Sequence, residues 1–99
     1  MVKDLKITES FIRELKKHLE TRKLNFNWYT DSKITLVEAK SSENNNHYYG
    51  YIDNGYYKLF ISGDCFRRYK KSNFTLIAEK TIFVKDINTP NNNLLKTTR

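Results

Sequence analysis

The feature that most constrains this chain is an aromatic hairpin signal between residues 47 and 61. Two runs rich in Tyr, Ile and Phe flank the dipeptide Asn54-Gly55. A type I′ turn needs positive φ at both central residues, and Asn-Gly adopts that geometry at low steric cost. The segment therefore predicts two antiparallel strands joined by a two-residue turn. A three-residue turn with Gly55 in the left-handed region is the alternative, and it would shift the strand register by one residue.

An amphipathic helix is predicted over residues 8–23, ahead of the hairpin. Apolar residues recur there with helical spacing, which makes a single stripe about 100° wide. Thr8 is suited to be the N-cap, because its hydroxyl can accept a bond from a free backbone N–H of the first turn. The stripe consists of Phe11, Ile12, Leu15 and Leu19.

Two further segments have strand patterns. Residues 33–40 alternate between the two sides of a strand. Residues 73–87 are rich in β-forming residues and are either a hairpin turning at Glu79-Lys80 or one long bulged strand. The long strand is favoured, because no glycine supports a tight turn. The predicted fold class is therefore α+β, with one N-terminal amphipathic helix packed on one face of an antiparallel β-meander of four to five strands.

The length of 99 residues indicates one domain, which we place at residues 1–87. Residues 88–99 form a polar C-terminal tail that includes the run Thr89-Pro-Asn-Asn-Asn. The connector after the helix carries the only tryptophan, Trp28, which we expect to seal one end of the core. The N-terminus lacks the apolar run of a secretory signal, and no stretch is apolar enough to cross a membrane. The sequence therefore predicts a cytoplasmic protein, in the host cytoplasm if it is virus-encoded.

The formal net charge of +7 is unevenly distributed along the chain. Residues 1–27 sum to +3, residues 28–62 to −1 and residues 63–99 to +5. Clustered basic residues are typical of a surface that binds a polyanion or an acidic partner. The alternative is that the charge only keeps a small protein soluble.

The densest basic segment follows the hairpin, and it is the first candidate binding site. Four basic residues surround one tyrosine there, so the segment could neutralise several phosphates while an aromatic ring stacks on a base. The alternative is a solvated loop, or a charged sheet edge that discourages pairing with other sheets. The segment consists of Arg67, Arg68, Tyr69, Lys70 and Lys71.

The second candidate site is one face of the hairpin. A two-residue turn places Tyr51 opposite Lys58 and Tyr49 opposite Phe60. We expect the core face to hold Tyr48, Ile52, Tyr57, Leu59 and Ile61. The other face would then expose Tyr49, Tyr51, Tyr56 and Phe60 around Lys58. Exposed tyrosines on a rigid sheet suit base stacking or the anchoring of a protein partner. The alternative is that both faces are covered, one by the helix and the other by a loop or a second copy of the chain.

No catalytic, metal or cofactor site is predicted. Cys65 could pair with His18 or His47 only if the fold brought them together, and two histidines 29 residues apart give no metal-ligand spacing. Glycine occurs only at residues 50, 55 and 63, so no phosphate-binding loop motif is present. We therefore expect a protein that is not an enzyme.

The sequence as a whole indicates a small basic binding protein whose partner is nucleic acid or a nucleoprotein. The alternative is a phage or mobile-element protein that inhibits a host defence or nucleic-acid-processing protein. Asn, Lys, Ile and Tyr together make up 39 residues, which is typical of an AT-rich genome. Since one helix can cover only one of two apolar sheet faces, a homodimer is also predicted.

Overall fold

A six-stranded sheet with one long helix against it makes up most of the structure, a computed structural model that describes residues 2–21, 32–62 and 65–87. The strands are β1 (Lys3–Asp4), β2 (Lys33–Ser41), β3 (His47–Asp53), β4 (Tyr56–Ser62), β5 (Cys65–Tyr69) and β6 (Phe74–Phe83). The helices are α1 (Glu9–Thr21) and α2 (Val84–Ile87), and a 3₁₀ turn spans Lys71–Asn73.

The strand order is β1-β6-β2-β3-β4-β5, and every neighbouring pair except β1 and β6 is antiparallel. The α+β class is confirmed. The prediction of an antiparallel meander of four to five strands was wrong in the number of strands and in their pairing, because the sheet has six strands and is mixed. The extra strand β1 has only two residues, too few to leave a pattern in the sequence.

Helix α1 begins where the capping residue predicts. The hydroxyl oxygen of Thr8 accepts a hydrogen bond of 3.2 Å from the backbone N–H of Phe11. Near the other end of the helix, the Thr21 hydroxyl donates to the His18 carbonyl oxygen at 2.7 Å. The last two residues of the predicted helix, residues 22 and 23, lie outside the described residues, as do Trp28 and the tail at 88–99.

The hairpin has the predicted two-residue turn. Asn54 has φ of 51° and Gly55 has φ of 82°, so both central residues are left-handed as a type I′ turn requires. The predicted register is confirmed, with Tyr51 opposite Lys58 and Asp53 opposite Tyr56.

Strand β6 is one continuous strand, so the long-strand prediction for this segment is confirmed. Its pairing with β2 shifts between Glu38 and Ala39, where Ala78 and Leu76 are the successive partners. Ile77 is therefore the extra residue of a β-bulge. Such a bulge bends a strand and increases its twist.

The sheet is strongly bent. In a flat sheet, β5 and β6 would lie four strand spacings apart, about 19 Å. The rings of Tyr69, at the end of β5, and Phe74, at the start of β6, nevertheless have centroids only 5.3 Å apart. Only four residues link them, so the flanks of the sheet must curl towards each other.

The bend gives the sheet a convex face and a concave face, and each has its own core. The convex face carries α1, whose apolar stripe shares one buried cluster with Ile34, Leu36, Tyr51 and Phe66. The concave face buries Val37, Ala39 and Leu59 completely, at 0% exposure. Side chains of the sheet itself pack around these three: Tyr48, Ile52, Tyr57, Tyr69, Phe74 and Leu76.

This second core corrects the face assignment for the hairpin. Tyr57 and Leu59 are buried as predicted, but Ile61 is exposed. The helix packs on the face that was expected to be exposed, the face of Tyr51 and Phe60. Because the bent sheet buries much of its concave face against its own side chains, the physical reason for expecting a homodimer is lost. The dimer itself stays an untested prediction. Among the described residues, no helix has the length and apolarity needed to span a bilayer.

Gly50 lies in close contact with the backbone of β4. A Cβ atom built there would lie 1.8 Å from the carbonyl oxygen of Lys58 and 2.9 Å from the Cα of Leu59. Both obstacles are backbone, so neither can move aside without breaking the strand pair. Glycine inside a strand commonly marks such a close approach or a tight bend.

We expect Gly50→Ala to lower the free energy of unfolding by about 3 kcal/mol or more, because the added methyl overpacks against backbone. Gly55→Asn is the matched control. Its Cβ meets nothing within 4 Å, and Asn tolerates positive φ, so its cost should stay below about 1 kcal/mol. Urea unfolding measures both variants. Equal stability of the two would contradict the close approach.

Candidate nucleic-acid interface

The basic segment is an edge strand of the sheet. Within the described residues, β5 pairs with β4 alone, with Lys58 opposite Arg68 and Leu59 opposite Arg67. An edge strand has one row of backbone groups without a neighbouring strand, so its side chains and backbone are open to a partner. Arg67, Arg68, Lys70 and Lys71 are all exposed.

Strand alternation divides these cations between the two faces of the sheet. Phe66 belongs to the core under α1, so Arg68 points to the convex side, and Arg67 and Tyr69 point to the concave side. Lys71 also reaches the concave side, where its Nζ lies 5.7 Å from the centroid of the Tyr57 ring. The four residues therefore surround the rim of the sheet instead of forming one flat patch.

Aromatic rings accompany the cations at this rim. The Arg68 guanidinium carbon lies 4.8 Å from the centroid of the Tyr56 ring, within cation–π distance. Tyr56 is 37% exposed, so its ring remains partly open to a ligand. Tyr69 is half-buried and packs edge-on against Phe74. Sequence reasoning had placed Tyr56 on the exposed face but had not paired it with Arg68, because the β4–β5 register was unknown.

Arg67 has an electrostatic link to the start of its own strand. A hydrogen bond to the Cys65 side chain raises the pKa of Arg67. The electrostatic interaction of its guanidinium with Cys65 and Tyr69 acts in the same direction. The guanidinium is fully exposed and remains charged at any pH at which the protein is folded. Cys65 is exposed as a free thiol.

Tyr51 is not part of an exposed surface, which corrects the sequence-based expectation. It is only 5% exposed and lies beneath α1. Its hydroxyl forms a hydrogen bond of 2.9 Å with Nε2 of His18, which is also buried. The His18 ring stacks on Phe66 with centroids 4.4 Å apart. Tyr51 thus joins the helix to the sheet.

Lys58 is likewise buried, at 9% exposure, although the hairpin pattern predicted it at the centre of an open face. Its partner across the strands, Arg68, is exposed. Burial follows from the choice of face for α1, which hydrophobic alternation alone did not decide. Neither Tyr51 nor Lys58 can contact a partner without rearrangement of the core.

Tyr49 is the one predicted tyrosine of β3 that stays exposed, at 39%. It lies next to Glu38 across β2 and β3, and the structure shows a three-residue polar cluster there that sequence reasoning missed. Oε2 of Glu38 is 2.6 Å from Nδ1 of His47, and Glu38 also hydrogen-bonds Tyr49. No spacing rule in the sequence indicates this cluster, because the three residues meet only through the β2–β3 register. Within the described residues, no group of three or more His, Cys, Asp or Glu is arranged to hold a metal ion.

The Glu38 carboxylate should control the ionisation of Tyr49. Burial, the Glu38 charge and the Glu38 hydrogen bond raise the pKa of Tyr49 above 10.0. Because the pKa of Tyr49 is higher in the folded state than in the unfolded state, its contribution to the free energy of unfolding is fully present below the unfolded-state pKa. That contribution is lost as the pH rises through the folded-state pKa. We expect Glu38→Gln to lower the pKa of Tyr49 towards its unfolded-state value, and therefore to make the alkaline loss of stability smaller than in the parent.

NMR titration of labelled tyrosine rings, together with urea unfolding above pH 10, measures both effects. His47→Gln is the control, because it keeps the Glu38 charge. An unchanged Tyr49 titration in Glu38→Gln would show that the carboxylate does not act on this ring.

No family model, curated protein or solved structure matches this chain. Its function is therefore inferred from the edge strand and its surroundings, since a fold by itself does not specify a function.

Proposed function

We propose that the protein binds nucleic acid, free or within a nucleoprotein, through the basic edge strand β5 and the residues that follow it. The observation that carries this proposal is the exposure of four cations within five residues at one rim of the sheet. No acidic side chain forms a described ion pair with any of these four. They are therefore available to replace the counterions of a phosphate backbone.

The rings at the rim favour single strands over duplexes. Tyr56 beneath Arg68 and the half-buried Tyr69 each present part of an aromatic surface beside a cation. Unpaired bases can stack on such rings and on guanidinium planes, whereas bases in a duplex are already stacked. Cations on both sides of a narrow edge also suit a flexible strand that can wrap around it.

A second candidate function uses the same strand. The backbone of β5 has no further strand beside it among the described residues, so an extended segment of a protein partner could add to the sheet. An acidic segment would suit the charges, and inhibition of a host protein would be one use of such binding. Free nucleic acid binds in the first case and not in the second.

Replacing Arg67, Arg68, Lys70 and Lys71 together with Ser should flatten the salt dependence of binding to single-stranded oligonucleotides. Each phosphate contact on a single strand contributes about 0.7 to the slope of log K against log salt, so four contacts correspond to about 3. Fluorescence anisotropy at several salt concentrations measures the slope. The fold should be unaffected, since all four side chains are exposed.

The matched control replaces Lys3, Lys6, Arg13 and Lys16 with Ser, which removes the same charge from β1, the segment after it and α1. It should retain most of the parental slope. If the control loses as much as the edge variant, binding depends on net charge alone. If neither parent nor control binds oligonucleotides, the proposal is wrong and the protein partner is favoured.

Cys65 offers an independent test, because it is the only cysteine, is exposed and begins β5. A photo-crosslinker attached to its thiol should couple to bound oligonucleotide with high yield, since Arg67 is two residues away. The control is the double variant Ser10→Cys, Cys65→Ser, which carries the same reagent on residue 10. Residue 10 lies near the N-terminal end of α1, whereas His18, which stacks on Phe66 of β5, lies near the C-terminal end. Equal yields from both positions would argue against a site at β5.

A further inference from the structure

A cavity of about 220 Å³ lies where the N-terminal half of α1 meets β3 and β4. None of its lining residues belongs to the basic edge strand β5, and none is basic. The lining residues are Thr8, Ser10, Phe11, Glu14, Tyr49 and Phe60. A water molecule has a share of about 30 Å³ in the liquid, so the space suits a group of about seven heavy atoms.

Three of the lining residues are aromatic. The rings of Phe11 and Tyr49 have centroids 5.9 Å apart and are inclined by 52°, and Phe60 completes the aromatic part of the wall. Tyr49 is 39% exposed, so its ring is accessible from outside. The face of an aromatic ring attracts cations, so a cavity lined by three rings suits a cationic group.

Glu14 contributes a carboxylate to the same wall. Its Oε1 is buried and has no hydrogen-bond partner among the described residues. A buried polar atom without a partner is uncommon and costly in folded proteins, and it commonly indicates a missing water, ion or ligand. The terminal torsion of a glutamate is broad, so a small rotation can turn the carboxylate towards a ligand.

The charges around the cavity are consistent with a cationic occupant. Glu38, which also contacts His47, accepts a hydrogen bond from the Tyr49 hydroxyl and brings a second carboxylate close to the aromatic wall. The first turn of α1 is the positive end of the helix dipole and repels a cation. This end is equivalent to only about half a positive charge. The full charge of Glu14 outweighs it. A quaternary ammonium has no N–H to donate to Oε1, whereas a primary ammonium or a guanidinium does.

We infer that this cavity binds a primary alkylammonium or guanidinium group, held between the aromatic rings and hydrogen-bonded to the Glu14 carboxylate. The same chemistry occurs in a lysine or arginine side chain of a partner protein and in a free small amine. The site does not depend on nucleic-acid binding at β5.

The experiment titrates n-butylammonium and propylguanidinium into the full-length ¹⁵N-labelled protein and follows the amide resonances. We expect saturable shifts at Ser10, Phe11 and Tyr49, which line the cavity. The neutral match, 1-butanol, should bind at least tenfold more weakly. Equal affinity for 1-butanol would overturn the inference and leave only an apolar cavity.

Two isosteric variants test the role of the carboxylate. Glu14→Gln should weaken n-butylammonium binding at least tenfold. Glu9→Gln changes the net charge equally, but Glu9 is highly exposed and does not line the cavity, so the affinity should stay within twofold. Unchanged binding in Glu14→Gln, or an equal loss in both variants, would contradict the inference.

Tyr49→Leu keeps the test valid if Glu14→Gln fails to fold, because Tyr49 is partly exposed and its replacement spares the core. It should weaken n-butylammonium more than 1-butanol, since the cation–π attraction is lost while apolar contact is kept. Equal weakening of the two would count against a cation site.

The source of the group is decided by comparing n-butylammonium with Nα-acetyl-lysine methylamide. Comparable affinity supports a lysine side chain of a partner protein as the occupant. Exclusion of the capped residue, with n-butylammonium still bound, supports a free amine. Failure of both cations to bind overturns the inference, and oligonucleotide binding at β5 would be unaffected by that result.

Discussion

The sharp bend of the sheet is the constraint on which the rest of the structure depends. Four residues connect β5 to β6, although three other strands lie between them. The chain can close that gap only if the sheet curls, and the contact between Tyr69 and Phe74 is the point of closure. Gly50 has no Cβ to obstruct the close approach of β3 and β4. Once the sheet is bent, its concave face buries Val37, Ala39 and Leu59 among aromatic rings from its own strands.

The bend also explains where the charges lie. Bending leaves one face for α1 and buries the middle of the other, and the exposed cations of residues 67–71 lie at the rim. Strand β5 contributes Phe66 to the core under α1 and Tyr69 to the second core, and the exposed positions between them are Arg67 and Arg68. Charged side chains on an edge strand discourage aggregation through the open backbone, and they are available to a polyanion at the same time. These two roles are compatible, so the same cations can keep the protein soluble and bind a polyanion.

Helix α1 contacts two chemically different regions on the convex side. Near its C-terminal end, His18 bonds to Tyr51 and stacks on Phe66, which ties the helix to the basic edge. Near its N-terminal end, Phe11 and Glu14 line an aromatic cavity with acidic character. The cavity borders the start of β5, because its lining residue Phe60 lies opposite Phe66, but neither Arg67 nor Arg68 lines it. The net charge of +7 therefore does not show that basic and acidic groups lie in different regions of the molecule.

Local features of the sequence determined the elements of this protein. Asn54-Gly55 specified the turn and register of the hairpin, Thr8 specified the start of α1, and the lack of glycine between residues 73 and 87 favoured a single long strand. These features depend on backbone sterics and short-range bonds, which act between neighbours in the chain. The tertiary structure alone decided which face of the hairpin meets the helix, and with it the burial of Tyr51 and Lys58. Both faces were apolar, so alternation could not choose between them. The choice came from the bend, which arises from contacts between residues distant in sequence, and those contacts also created the cavity beside Glu14 and the exposed rim at β5.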